Sequence, residues 1–470
     1  MNKIYCLILA IFGLIATSCD SKLDIVPHGI TTFTDIDELE TLINQQWRIY
    51  DWDLNYNVLC NQTYPYWTDL EELYNVTNSI EHAIYFCDET VDRADLTEDD
   101  GRYSDLYKHI NYMNIILSKV DEVSGDASRK KTLAAEAKVL RAWFHFLLVN
   151  FYAAQYDDAT AEKTGGIPYV DNTDSSIQKT KQSVAEVYRH ILNDCSDEVI
   201  SNLKTKLTND PCRFEVDFGY AVRARVLFQM KHYDDAAAYA RKALALNSSV
   251  ENRKSILTSG TWLKAFNADD VYLFINSNSV VNSCTLSMHP LTEEYVSLFE
   301  EGDYLRDHSP EDEWLEYDDL GFGYPGISLY YGSSARVNVF GIDAEQMYYV
   351  VGESLIMQGD IDGGLEMVDR VRANRIDEEN FAPFKGTVSN KKEALALLRN
   401  AKRVEFPLNY EYFFDCKRLN SDPETAFTII RDCGEYGTRE LRPDSPLWIY
   451  PFPMNAVNYN SSLTQNYLDN

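Results

Sequence analysis

From Leu133 onward, apolar residues recur at steps of three and four. Leu133, Ala137, Leu140, Phe144, Leu147, Leu148 and Phe151 form one face, while Trp143, Phe146 and Val149 fill the other. The stretch 134–152 therefore predicts a helix with almost no wet side, buried at the centre of the molecule. Its first half carries Glu136, Lys138 and Arg141. The apolar half from Ala142 is broken by His145 and Asn150 and is too short to cross a bilayer. A stripe of Leu106, Ile110, Met113, Ile116, Leu117 and Val120 predicts a helix over 103–123. Gly125 and Asp126 separate the two as an antiparallel pair, and Gly165-Gly-Ile-Pro168 closes the segment.

Residues 35–50 read as an amphipathic helix, and 183–203 as another, with Ser183 and Glu186 spaced as a capping box. Small and large apolar residues around a turn at His232-Tyr-Asp234 make 217–247 a helical hairpin of tetratricopeptide type. The pattern returns over 343–374, around Gly359-Asp-Ile361. The two units lie too far apart for a tandem array. A helix is expected at 391–404, then an aromatic segment at 410–419 and an irregular tail with Pro443, Pro446, Pro451 and Pro453. The fold class is all-α: a tetratricopeptide-like scaffold carrying a loop-rich insert.

Two stretches lack this periodicity. Residues 51–75 interleave Trp52, Tyr56, Tyr64, Tyr66, Trp67 and Tyr74 with Asn, Gln and Asp. The insert, 248–341, is rich in Asn, Ser, Gly and aromatic residues, with a strand-like run at 271–275, a short helix at 291–299 and rings beside glycines over 314–331. The chain holds 32 Tyr and is 13% aromatic. That exceeds what packing needs, and Tyr is favoured where one end of the ring stays wet.

Lys3, the apolar run 4–15 and Ala16-Thr-Ser-Cys19 have the layout of a secretory signal ending in a lipobox. Residues 1–18 are expected to be removed and Cys19 to carry the lipid of a tether, 19–33. The whole chain has a net charge of −31, and removal takes away one basic side chain, Lys3, and no acidic one, leaving −32. Nucleic acid and anionic headgroups are repelled, so the lipid has to supply the membrane attachment. Seven cysteines then remain, with no C-x-x-C pair, so neither a disulfide framework nor a zinc site is signalled.

No H-E-x-x-H, G-x-S-x-G, Walker loop or strand-linked G-x-G-x-x-G occurs, and no catalytic residue, cofactor or metal site is assigned. A calcium loop over 96–107 fails, because Leu96 and Tyr107 stand where carboxylates are needed; the stretch reads as a solvated acidic loop. A sugar site wants flat rings for its C–H faces and amides or carboxylates for its hydroxyls. Candidate ligand-binding residues are therefore Asn61, Tyr64, Tyr66, Trp67 and Asp69 in the first aromatic segment, with Asn276, Trp314, Tyr317, Tyr324 and Tyr331 in the insert.

Several stretches, in order, resemble the SusD/RagB family of nutrient-binding outer-membrane lipoproteins from Bacteroidota: Cys19-Asp-Ser-Lys-Leu-Asp-Ile-Val-Pro27, the central 134–152 helix, Gly165-Gly-Ile-Pro-Tyr-Val170, Val187-Tyr-Arg-His-Ile-Leu-Asn-Asp194, residues 344–360, Tyr412-Phe-Phe-Asp-Cys-Lys-Arg-Leu419 and Gln465-Asn-Tyr467. Phe413 to Arg418 and Ala401 to Phe406 depart from the family's commoner forms. The resemblance implies an N-terminal helical region, 34–247, the ligand-face insert, 248–341, and a C-terminal region, 342–470. It also implies a non-catalytic protein that captures oligosaccharides outside the cell and sits as a lid on a SusC-like TonB-dependent transporter. Peptide capture, a surface glycosidase with two facing carboxylates, and a pure interaction scaffold are the alternatives.

Overall fold

In the computed structural model the described residues are 33–50, 55–65, 70–174, 177–205, 212–254, 268–277, 289–307, 314–316, 327–329 and 338–468, with backbone alone at 314–316 and 327–329. Helix α1 (Gly101–Lys119) and helix α2 (Ala127–Tyr152) form the expected pair. Asp100 caps α1 by accepting from the amides of Arg102 and Tyr103, and Asp126 caps α2 through Ser128 and Arg129. The acidic loop predicted across 95–107 is thus half helix.

Every residue of α2 from Val139 to Tyr152 is buried. The polar groups on it are satisfied where they stand, as burial requires. Trp143 donates to the carbonyl of Phe340 at 2.9 Å, and Asn150 donates to Phe146 at 2.7 Å while accepting from Tyr188 at 3.1 Å. Glu136, fully buried, takes Arg213 and the amide of Phe214.

Helix α3 (Val184–Asp194) begins with the capping box of Ser183 and Glu186, but it stops at Cys195, and Ser196 caps a separate turn, Asp197–Ile200. The two hairpins appear as α4 (Val216–Gln229) with α5 (Tyr233–Leu246), and α6 (Ala344–Met357) with α7 (Ile361–Arg372). Although distant in sequence, they stack, α5 against α6, with Leu244 packed on the cluster that contains Tyr348 and Leu365. Helix α8 (Lys391–Glu405) covers α6, and the aromatic segment near 410 is helix α9 (Glu411–Asn420), buried through Leu419.

The described strands come in two-stranded pairs. One corrects the expected helix over 35–50. Only Ile36–Glu40 is helical, and Trp47–Ile49 runs parallel to Ile275–Ser277 of the insert. Burial of Trp47 and Ile49 on one side of that strand overrides the helical pattern. The tail is also less irregular than expected: Ile429–Asp432 and Thr438–Leu441 form a hairpin turned at Gly434 and Gly437, both at positive φ.

Candidate ligand face

Two pairings draw the first aromatic segment and the insert together. Trp47–Ile49, just ahead of the first, pairs with Ile275–Ser277 inside the second. Further on, Gln62 to Tyr64 lies antiparallel to Pro290–Thr292: Tyr64 N donates to Pro290 at 2.8 Å, Thr292 N to Gln62 at 3.1 Å, and Thr63 bridges Leu291. Thr292 Oγ1 adds a bond to the Asn61 carbonyl at 2.8 Å. Residues far apart in sequence are thereby held side by side by backbone hydrogen bonds.

Asn61 adopts φ +56°, a left-handed conformation that Asn tolerates better than most residues. Its Oδ1 accepts from Arg431 at 3.2 Å, so this candidate serves the scaffold with its oxygen. Tyr64 is half-buried, its ring 6.1 Å from that of Tyr85, and burial, aided by the charge of Glu293, raises its phenol above the ordinary value. Asn276 stands opposite Arg48 in the parallel pair, and its Oδ1 is buried without a donor among the described residues. Trp314 begins a strand, Trp314–Glu316, antiparallel to Ile327–Leu329. Tyr66, Trp67, Asp69, Tyr317, Tyr324 and Tyr331, like Cys19, lie outside the described residues.

Beside this face opens a cleft of about 210 Å³ that sequence reasoning missed. Tyr50 and Asn55, which flank the start of the aromatic segment, line it with Glu81, Thr97, Asp99, Arg93, Arg102 and Tyr450. Tyr50 is 43% exposed. Arg102 is sandwiched, its guanidinium carbon 4.4 Å from the ring centres of both Phe151 and Tyr450. Arg93 donates to the carbonyls of Ile449 at 3.0 Å and Pro446 at 2.8 Å, and burial lowers its pKa to about 10. Asp100 is committed to the α1 cap and to Tyr152 OH at 2.5 Å, and Asp99 accepts from Asn455. The cleft thus offers an exposed ring with mixed polar groups, a combination suited to a hydroxyl-rich ligand. Its lining residues come from short local stretches and the far C-terminus, so no spacing in the sequence announces it.

Among the described residues, one group of carboxylates is close enough to hold a metal: Asp270, Asp343 and Glu345, all buried, with oxygens within 4.8 Å of one another. Donors already reach two of them. Asn338 donates to Asp343 at 2.6 Å, and the amide of Glu251 to Glu345 at 2.5 Å. No helix among the described residues is long and apolar enough to cross a membrane.

A SusD-like family model, described as "Starch-binding associating with outer membrane", matches residues 31–226. No curated protein matches the sequence. Among solved structures, a SusD superfamily protein from Bacteroides thetaiotaomicron VPI-5482 is similar at a TM-score of 0.71 and 14% identity, over 92% of this chain and 100% of that one. A SusD-like carbohydrate binding protein from Bacteroides vulgatus ATCC 8482 gives 0.67 at 15%, covering 92% and 98%. A laminarin binding SusD-like protein gives 0.60 at 16%, covering 92% and 99%. At these identities the structural likeness speaks for the fold, while the family model speaks for the sequence of the N-terminal half. Residues 31–226 are thus SusD-like in sequence, and the chain as a whole, with its stacked helical hairpins around α2, shares the fold of SusD superfamily structures.

Proposed function

We propose that this protein captures oligosaccharides without cleaving them and delivers them to a SusC-like TonB-dependent transporter, held on the outer membrane by a lipid on Cys19. The observation that carries the reading is the double pairing of 47–49 with 275–277 and of 62–64 with 290–292. It holds the backbone of the first aromatic segment against the insert, which supports the reading that the two contribute to a single ligand face. The family's description as starch-binding and outer-membrane-associated supports it, as does a laminarin-binding relative of the same fold. Trp67, Trp314, Tyr66, Tyr317, Tyr324 and Tyr331 would supply stacking, and Asp69, Asn61 and Asn276 the polar edges.

Titration of the purified protein against plant, microbial and host oligosaccharides and a peptide mixture, read by Trp fluorescence and calorimetry, tests this. Saturable binding of one glycan class without release of shorter products is the expected result. Binding of peptides alone would replace glycan by peptide capture, and product release would make the protein a hydrolase.

A further inference from the structure

Where the C-terminal ends of α2 and α9 meet segment 443–449, a separate cavity of about 160 Å³ is lined by Lys417, Asn420, Ser445 and Trp448. Lys417 is 4% exposed and gives protons to the carbonyls of Asn150 and Ala153, the latter at 2.7 Å. An ammonium has three protons, and these two acceptors take two of them. A buried ammonium is costly without a counter-charge. Among the described residues no carboxylate pairs with this one, and burial alone acts on it, lowering its pKa to about 7.

Its neighbours on the cavity wall are donors as well. Asn420 Oδ1 accepts the amide of Phe427 at 3.1 Å, which orients the side chain and leaves Nδ2 buried with no acceptor among the described residues. Ser445 Oγ accepts the amide of Leu447 at 3.3 Å and keeps its hydroxyl proton to give. Lys231 Nζ lies 3.1 Å from Ser421 Oγ, outside the lining, and has its own carboxylate partner in Asp157 at 3.5 Å. Gln155 Oε1 accepts from Gln229 at 2.7 Å, and Asp444, which also lines the cavity, pairs with Arg442 at 3.3 Å.

We propose that this cavity binds a small oxyanion, a carboxylate or phosphate group, through Lys417, Asn420 and Ser445. The net charge of −31 does not forbid it, because charges farther away than about 8 Å are largely screened at physiological salt. An acceptor-rich ligand carrying negative charge answers the three donors Lys417 Nζ, Asn420 Nδ2 and Ser445 Oγ. The cavity adjoins the cleft beside the ligand face, Ile449 lining the one and Tyr450 the other, but the two share no lining residue.

Calorimetric titration of the purified full chain with acetate, and separately with inorganic phosphate, at constant ionic strength in chloride, tests the proposal. Saturable binding of at least one is expected, with the two arms telling a carboxylate from a phosphate. Lys417→Met should abolish it. Because Lys417 also holds the end of α2, Asn420→Asp is the deciding variant: it keeps the acceptor for Phe427, replaces the donor by a carboxylate, and should weaken binding by about tenfold or more. Ser445→Ala should weaken it in the same direction. Absence of saturation with both ions, or unchanged affinity in Asn420→Asp, would overturn the assignment.

Discussion

Arg431 reaches from the C-terminal hairpin to beneath Asn61, donating to its Oδ1 at 3.2 Å. The same guanidinium takes the carbonyls of Leu59 and Ile84, both at 3.1 Å, and those of Val58 and Tyr85. One side chain from the end of the chain thus satisfies the backbone that leads into the first aromatic segment. Arg431→Met would take this buried donor from all of those carbonyls, Val58 keeping the amide of Asn61 at 3.0 Å, and the expected loss is about 3–5 kcal/mol, measured by urea denaturation. Arg431→Lys should recover only a part, because an ammonium lacks the planar fork.

His145 gives the clearest dependence on pH. Its Nε2 accepts the amide of Val170 at 3.0 Å, so Nδ1 carries the proton it donates to Arg141 at 2.9 Å. Burial lowers its pKa from 6.5 to about 3. The unfolded chain therefore takes up a proton that the native chain refuses, and stability falls as pH drops from 6.5 towards 3. The slope from this residue should approach about 1.4 kcal/mol per pH unit. His145→Gln, followed by denaturation at a series of pH values, should flatten the profile across that window while lowering stability at neutral pH.

The buried charges between α6, α8 and α9 form a connected group. Arg418 Nη2 meets Glu353 at 3.0 Å and Asp415 at 2.9 Å, Lys402 meets Glu411 at 2.7 Å and Asp415 at 2.8 Å, and Arg225 meets Glu411 at 2.7 Å. Removing one partner strands a charge in the interior. Glu353→Leu is expected to cost about 3–5 kcal/mol, while the double change Glu353→Leu with Arg418→Met should recover much of it. A double-mutant cycle read by thermal unfolding checks this.

For the ligand face, Trp67→Ala and Trp314→Ala should each weaken glycan binding about tenfold, with melting temperature little changed. A ring that serves the core would do the reverse. Comparison with Tyr56→Ala, whose ring is fully buried, supplies that contrast.

What the sequence makes legible depends on how local the cause is. The capping box at Ser183 and the apolar stripes of α2 and of both hairpins lie within one element, so spacing alone reveals them. Trp47–Ile49 does not, since its partner strand stands in the insert and no helix-period count can detect it. Break points such as Cys195 are equally hidden, because a second cap at Ser196 follows in a sequence that keeps its helical pattern. In the candidate site, Asn61 and Tyr64, named from composition as ligand-binding, stand on backbone that pairs with the insert. Composition does not tell a ring resting on Tyr85, or an amide oxygen held by Arg431, from one offered to a ligand.

The insert leaves the helical stack after α5 and rejoins it at α6, and its base is closed where Val271 pairs with Asp343 and Leu273 with Ile342. Those two helices pack on each other directly, so the scaffold bears the entropy of bringing the ends of this long excursion together. Beyond that clasp the insert is still tied to the scaffold: Phe340 accepts from Trp143 of α2 at 2.9 Å, Glu294 pairs with Arg403 of α8 at 2.9 Å, and Glu300 pairs with Arg375 at 3.2 Å. The insert is in this sense a strap fixed at its ends by the stack and riveted along its length to α2 and α8, so a segment transplanted from a relative would have to bring matching rivets with it.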